Sequence, residues 1–323
     1  MENKSNLNYQ KKKFLDRSIS TREVMFLLAL VLCLSPYISP PIALLLGIII
    51  AQFVGHPYLH LNHKATHLLL QISVVGLGFG MNVNTALKAG KDGILFTVVS
   101  IISTLILGYF AGKILKLNHK TSFLISTGTA ICGGSAIAAI SPVIKADEKQ
   151  VSIALGTVFI LNSIALFLFP FVGEKLHLSQ PQFGLWCAIA IHDTSSVVGA
   201  AGKRGNDALQ IATTIKLARA LWIIPVAFFS SIIFTSRDRK IKIPYFIGLF
   251  VIAIVINTYI PFVHKISNYI VQVSKSGLTV TLFLIGCGLS KRTLTSVGFK
   301  PMLHGLLLWI IISLMTLFAI LYL

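Results

Sequence analysis

Ala130-Ile131-Cys132-Gly133-Gly134-Ser135-Ala136 and, at an offset of 60, Ala190-Ile191-His192-Asp193-Thr194-Ser195-Ser196 are the stretches on which the fold turns. Both lie in the middle of apolar runs, and both exchange bulky side chains for glycine or small hydroxyl residues. Such sequences let a helix unwind and expose its backbone groups. Lipid tolerates that only where the backbone lines a cavity or is buried in protein. Gln150 and Gln210 extend the match at the same offset. The pattern predicts two equivalent interrupted helices.

The chain around them has the composition of a membrane protein. Of 323 residues, 55% are hydrophobic and 12% are charged, and mean hydropathy is +0.82. A soluble globule carries about a quarter charged residues, so a soluble enzyme is disfavoured. Disorder is excluded by the same apolar content. Apolar runs fall at 24–38, 40–55, 67–81, 93–112, 121–144, 151–172, 182–201, 208–234, 243–261, 270–289 and 301–323. Each is long enough to cross a bilayer with some adjustment. The expected fold class is therefore all-α: a polytopic helical membrane protein of about 10–11 transmembrane helices, by the lengths of those runs. Residues 1–23 read as a basic cytoplasmic arm and 24–323 as a single transmembrane transporter domain. The basic residues Lys11, Lys12, Lys13 and Arg17 before the first run allow a signal peptide, but no small-x-small cleavage site follows, so a retained helix is expected.

The charge is lopsided, with 28 Lys and Arg against 10 Asp and Glu. In a soluble chain this would suggest nucleic acid. Here the basic residues punctuate the gaps between apolar runs, so they read as topology and no nucleic-acid partner is expected. With the N-terminus inside, inner segments hold 18 Lys and Arg and outer segments hold 8, counting with the latter Lys275 near the start of the run at 270–289. That asymmetry predicts a cytoplasmic N-terminus and an outer C-terminus. The four cysteines, Cys33, Cys132, Cys187 and Cys287, have no CxxC partner, so neither a disulfide framework nor a zinc site is indicated.

A second internal similarity joins distant parts of the chain. Gly78-Phe79-Gly80-Met81 with Thr85 and Gly90 matches Gly286-Cys287-Gly288-Leu289 with Thr293 and Gly298 at an offset of 208. The run starting at Pro41 resembles the run starting at Pro244. Seven crossings separate the matching helices, so they run in opposite directions. An inverted repeat is a common building plan of secondary transporters. The glycines themselves read as close helix packing, since no strand precedes them as a nucleotide loop would require.

Ionisable residues inside the runs are few, and the candidates among them are His192, Asp193, Lys216 and Arg219. Each charge at the bilayer centre costs about 2.5–3.5 kcal/mol on insertion scales, so the cluster marks an internal polar site. One reading is a buried ion pair, Asp193 with Arg219 or Lys216, that locks two helices. The other is an anion site, because two cations face one carboxylate and His192 can add a charge. Lys216 and Arg219 are neighbours on one helix face, and Thr213 extends it. Helix N-termini with Ser135, Thr194, Ser195 and Ser196 as hydroxyl donors suit a small anion. The candidate substrate-binding residues are therefore Cys132, Gly133, Gly134, Ser135, His192, Asp193, Thr194, Ser195, Ser196, Lys216 and Arg219. His56, His60, His63 and His67 would align on one helical face. No carboxylate or cysteine lies near them, so they read as interfacial histidines, and neither metal nor cofactor is expected.

The run Gly128 to Ala139, then Ile191-His192-Asp193, then Lys216-Leu217-Ala218-Arg219 resembles the bacterial inner-membrane family named as sulfate exporters. That family is similar to the bile acid, arsenite and riboflavin transporter superfamily. The resemblance covers the chain from about Glu23 to the end and implies inverted repeats with crossed, broken helices. Its histidine-aspartate pair maps to His192 and Asp193, and its lysine-arginine helix to Lys216 and Arg219. The offset-60 match lies between parallel helices, which a simple five-plus-five inverted repeat does not predict.

The expected function is secondary transport, in the export direction, of a small anion such as sulfate, sulfite or a sulfonate by alternating access. A proton- or sodium-coupled exchanger using Asp193 is the alternative. An intramembrane enzyme using Cys132 or His192 lacks a partner set, so no enzymatic activity is expected. No ATP-binding signature is present, and primary active transport would need a partner subunit. The implied partners are the lipid bilayer, the anion, a coupling ion and a second copy of the chain.

Overall fold

The computed structural model describes residues 21–35, 37–55, 57–234, 245–289 and 297–322, except for the side chains at 59, 60, 63, 92 and 264. The described residues form helices and no strand. In chain order these are α1 (Thr21–Cys33), α2 (Pro40–Phe53), α3 (Leu59–Gly78), α4 (Val83–Ile114), α5 (His119–Ala130), α6 (Gly134–Ile140) and α7 (Glu148–Lys175). They are followed by α8 (Gln180–Ala190), α9 (Thr194–Arg204), α10 (Asn206–Ala220), α11 (Ile223–Ile233), α12 (Tyr245–Tyr259), α13 (Pro261–Gly288) and α14 (Phe299–Tyr322). The protein is an all-α, multi-pass membrane protein.

Helix starts follow local chemistry. Asp147 with Gln150 and Ser179 with Gln182 form capping boxes that open α7 and α8, satisfying two otherwise orphaned N–H groups at each end. Asn82 and Asn118 cap α4 and α5 through their side-chain oxygens. Pro40 and Pro261 occupy first-turn positions, where a missing N–H costs nothing.

Among the described residues five stretches are long and apolar enough to cross a membrane singly: Gly93–Ile114, Glu148–Lys175, Asn206–Ile233, Lys265–Gly288 and Phe299–Tyr322. These coincide with five of the eleven apolar runs. The runs at 121–144 and 182–201 became the interrupted pairs α5–α6 and α8–α9. Those at 24–38, 40–55 and 243–261 became helices of 13, 14 and 15 residues. At 1.5 Å per residue such helices are shorter than the hydrocarbon core. The run at 67–81 forms the end of α3, and its Lys64–Gly78 segment is bent by 110° from Val83–Lys91 of α4. Large apolar side chains such as Leu95, Phe110, Ile114, Phe229, Ile233 and Phe318 are exposed, as a lipid-facing surface requires. α1 begins at Thr21, inside the expected arm; residues 1–20 lie outside the described residues.

The helices form two bundles. α1, α2, α3, α12 and α13 pack around α13, whereas α4 to α11 pack with α14. In the first bundle the inverted repeat is visible in atomic contacts. A Cβ added at Gly78 would lie 2.8 Å from the Phe250 carbonyl of α12, and one at Gly286 would lie 2.3 Å from the Leu44 carbonyl of α2. The Asn257 amide of α12 donates to the Met81 carbonyl at 3.0 Å, and the Gln52 amide of α2 donates to the Leu289 carbonyl at 3.2 Å. Each contact has its counterpart when α2 and α3 exchange roles with α12 and α13. The paired glycines let backbones approach closely, the packing expected of small residues in membranes.

Candidate functional site

The two sequence-matched segments break their helices in the same register. α5 ends at Ala130 and α6 begins at Gly134; α8 ends at Ala190 and α9 begins at Thr194. The first break turns through Gly133, whose φ of +68° is a left-handed conformation costly for any residue with a Cβ. The breaks meet: a Cβ on Gly133 would lie 3.4 Å from the backbone carbon and oxygen of His192. The Cys132 thiol lies against Ser135 and the backbone of Ala136, in the first turn of α6.

Breaking a helix orphans carbonyls at one end and N–H groups at the other, and charged side chains take up both. Arg219, on α10, serves both broken helices at once. Its Nε donates to the Ala130 carbonyl at 2.6 Å, and its Nη1 donates to the Ile189 carbonyl at 2.5 Å and the Ala188 carbonyl at 3.4 Å. Lys216, one turn earlier, donates from Nζ to the Ile191 carbonyl at 2.7 Å and the Ala188 carbonyl at 3.3 Å. Both cations are fully buried, and both sit at helix C-termini, where the backbone dipole favours positive charge. At the other end Asp193 caps α9. Its carboxylate accepts from the backbone N–H groups of Ser195 at 3.0 Å and Ser196 at 3.2 Å, and from the Ser195 hydroxyl.

This arrangement counts against the ion-pair alternative and corrects one expectation. The hydrogen bonds of Lys216 and Arg219 go to backbone carbonyls, not to the Asp193 carboxylate, so the helix-locking ion pair is not what holds the breaks. The N-terminus of α9 is not free either, because Asp193 occupies the N–H groups of Ser195 and Ser196 and holds the Ser195 hydroxyl. The other named residues do converge. Cys132, His192, Asp193, Thr194 and Ser196 are buried with them, and Gly134 and Ser135 are half-buried at the start of α6.

Asn162, near the middle of α7, was absent from the sequence reading. Its Oδ1 accepts from the backbone N–H of His192 at 3.1 Å and of Asp193 at 3.3 Å. The signal was available: a single amide in the apolar run from Val158 to Phe169 must find polar partners in a bilayer. Around the breaks several buried polar atoms have no hydrogen-bond partner among the described residues. They are Thr129 Oγ1, Asn162 Nδ2, both ring nitrogens of His192 and Arg219 Nη2. Unpaired buried donors are costly, about 1–3 kcal/mol each, and rare enough to require a reason. Among the described residues no cluster of three His, Cys, Asp or Glu could hold a metal ion; His56 and the side chains of His60 and His63 lie outside them.

The chain's relatives fit this architecture. The family profile described as Conserved hypothetical protein 698 matches residues 23–305. A UPF0324 membrane protein of Bacteroides thetaiotaomicron is 54% identical over 88% of this chain and 86% of its own length. Relatives of the same name from Porphyromonas gingivalis and Photobacterium profundum are each 50% identical, over 86% and 93% of this chain and 85% and 92% of their own. No solved structure matches it. The chain belongs to this family of bacterial multi-pass membrane proteins, UPF0324.

Proposed function

We propose that the protein is a secondary transporter of a small anion such as sulfate, sulfite or a sulfonate, working by alternating access around the two breaks. The observation that carries this reading is Arg219: one guanidinium ties both broken helices together and still keeps Nη2 unpartnered in a fully buried position. The charge balance points the same way. The half-charges at two helix C-termini and two N-termini cancel, leaving two cationic side chains against one carboxylate. A buried site with that excess takes an anion, and a guanidinium edge together with a hydroxyl and an amide suits oxygen acceptors. Asp193 is committed as a helix cap, which counts against its use as the carrier carboxylate of a cation exchanger. Export, coupling to protons or sodium, residence in the inner membrane and a cytoplasmic N-terminus complete the reading. The positive-inside asymmetry supports the last of these.

The test is a thermal-shift screen of detergent-purified protein against inorganic and organic anions, because a ligand that binds only the native state raises its melting point. Sulfate or a related oxyanion should stabilise the wild type, with about 2.7 kcal/mol expected at a hundred times the dissociation constant. His192→Gln should fold normally and show a weakened response. A protein stabilised by sodium or by a pH change, and by no anion, would reject the anion site.

A further inference from the structure

A cavity of about 300 Å³ opens at the seam between the two bundles, lined by α10, α13 and the end of α3. Two polar helix faces meet in it. α10 contributes Asn206, Gln210 and Thr213, and α13 contributes Asn268, Gln272 and Lys275. Each set has spacings of four and three, which place it on one helix face. The same face of α10 continues from Thr213 to Lys216 and so leads from the seam to the breaks. Thr213 is 1% exposed, whereas Lys275 is exposed at the mouth.

We infer that this cavity is the antechamber through which a small, hydrated oxyanion reaches the breaks, and that Lys275 selects for its charge. The inference rests on the anion-transport reading above and adds to it a route and a selectivity residue. Among the described residues Lys275 is the one charged residue of the lining. Its ammonium carries three donors, and one is used on Asn206 Oδ1 at 3.2 Å, leaving two for a visiting anion. Gln210 donates from Nε2 to the Gly80 carbonyl at 2.9 Å, which closes the side of the cavity toward α3. Size narrows the ligand class. A water claims about 30 Å³ of liquid, and ligand pockets for drug-sized molecules run from about 300 to 1,000 Å³. The cavity therefore has room for an inorganic oxyanion or a short sulfonate with part of its hydration shell.

The experiment uses single cysteines in the full chain and two thiosulfonate reagents of similar size, one bearing a sulfonate and one a trimethylammonium group. The four native cysteines are buried, and the unmodified protein serves as the control. Thr213→Cys should react faster with the anionic reagent than with the cationic one. Lys275→Glu should reduce that ratio on the order of tenfold or more, the scale on which local charge focuses ions. Gln210→Cys, nearer the surface, gives the same reading should Thr213→Cys fail to fold. Equal or cation-favouring reactivity at both positions, or no reaction at either, overturns the antechamber. The measurement is independent of the thermal-shift screen. Charge-selective labelling in a protein that no anion stabilises would remove the anion site at the breaks, and with it the antechamber's destination, and leave only an anion-selective cavity.

Discussion

The two bundles hold their helices together with a different emphasis. In the bundle of α2, α3, α12 and α13 contact is made by subtraction. Gly47, Gly78 and Gly286 remove side chains so that backbones touch, and an added Cβ would fall 2.1–2.8 Å from a neighbouring carbonyl oxygen at each. The other bundle also brings Gly184 close to the Ala208 carbonyl, but there contact is made chiefly by addition: Lys216 and Arg219 reach from α10 to the severed ends of α5 and α8. Subtraction gives a close-packed frame in which the Gln52 and Asn257 amides donate to backbone carbonyls. Addition leaves buried donors to spare, and those donors are what a substrate could use.

The largest effect is expected where charge does the joining. Arg219→Met removes two short charge-assisted bonds, each worth about 1.5–3 kcal/mol, and should lower the unfolding free energy by about 3 kcal/mol or more in detergent. Asp193→Asn added to it should give no recovery, because the two side chains serve different helix ends. Recovery in the double variant would restore the ion pair and break the contrast between the bundles.

The frame should respond to volume instead. Gly286→Ala drives a methyl group into the Leu44 carbonyl and should cost about 1–3 kcal/mol, the range for overpacking. Gly248→Ala, on α12 with nothing within 4 Å of the added atom, should leave the melting temperature unchanged or slightly raised. Equal losses at both positions would show that helix propensity, not close approach, is being measured.

The smallest effect sharpens the role of Asp193. As an N-cap it should tolerate Asn with little change, while Ala should cost about 1 kcal/mol. Transport or anion binding that survives Asp193→Asn would confirm that its charge is not the carrier.

Much of this was legible in the sequence. Glycine and small hydroxyls in mid-run marked both breaks, and the Gly-x-Gly pairs at 78 and 286 marked the frame. Lys216 and Arg219 were legible as buried cations, yet their partners were not. A backbone carbonyl looks alike at every residue, so Ala130, Ile189 and Ile191 gave no sign that they would receive the charges. The ion pair with Asp193 was the nearest side-chain answer, and the severed helix ends offered a better one. Asn162 was overlooked for a related reason. Its partners are the N–H groups of His192 and Asp193, 30 and 31 positions later. The eleven runs located the helices without their lengths, because hydropathy does not register a helix that stops after 13 to 15 residues.

The position of Arg219 in the chain has a consequence for how the protein is made. All of its acceptors, Ala130, Ala188 and Ile189, are synthesised before it. A helix bearing Lys216 and Arg219 enters lipid alone only at the cost of about 2.5–3.5 kcal/mol for each charge on insertion scales. With α5 and α8 already in the membrane, those carbonyls are waiting when α10 leaves the ribosome. The order of translation thus supplies a docking template for the least insertable segment of the core. A circular permutant that begins at Asn206 would present the same helix to the insertion machinery before its acceptors exist.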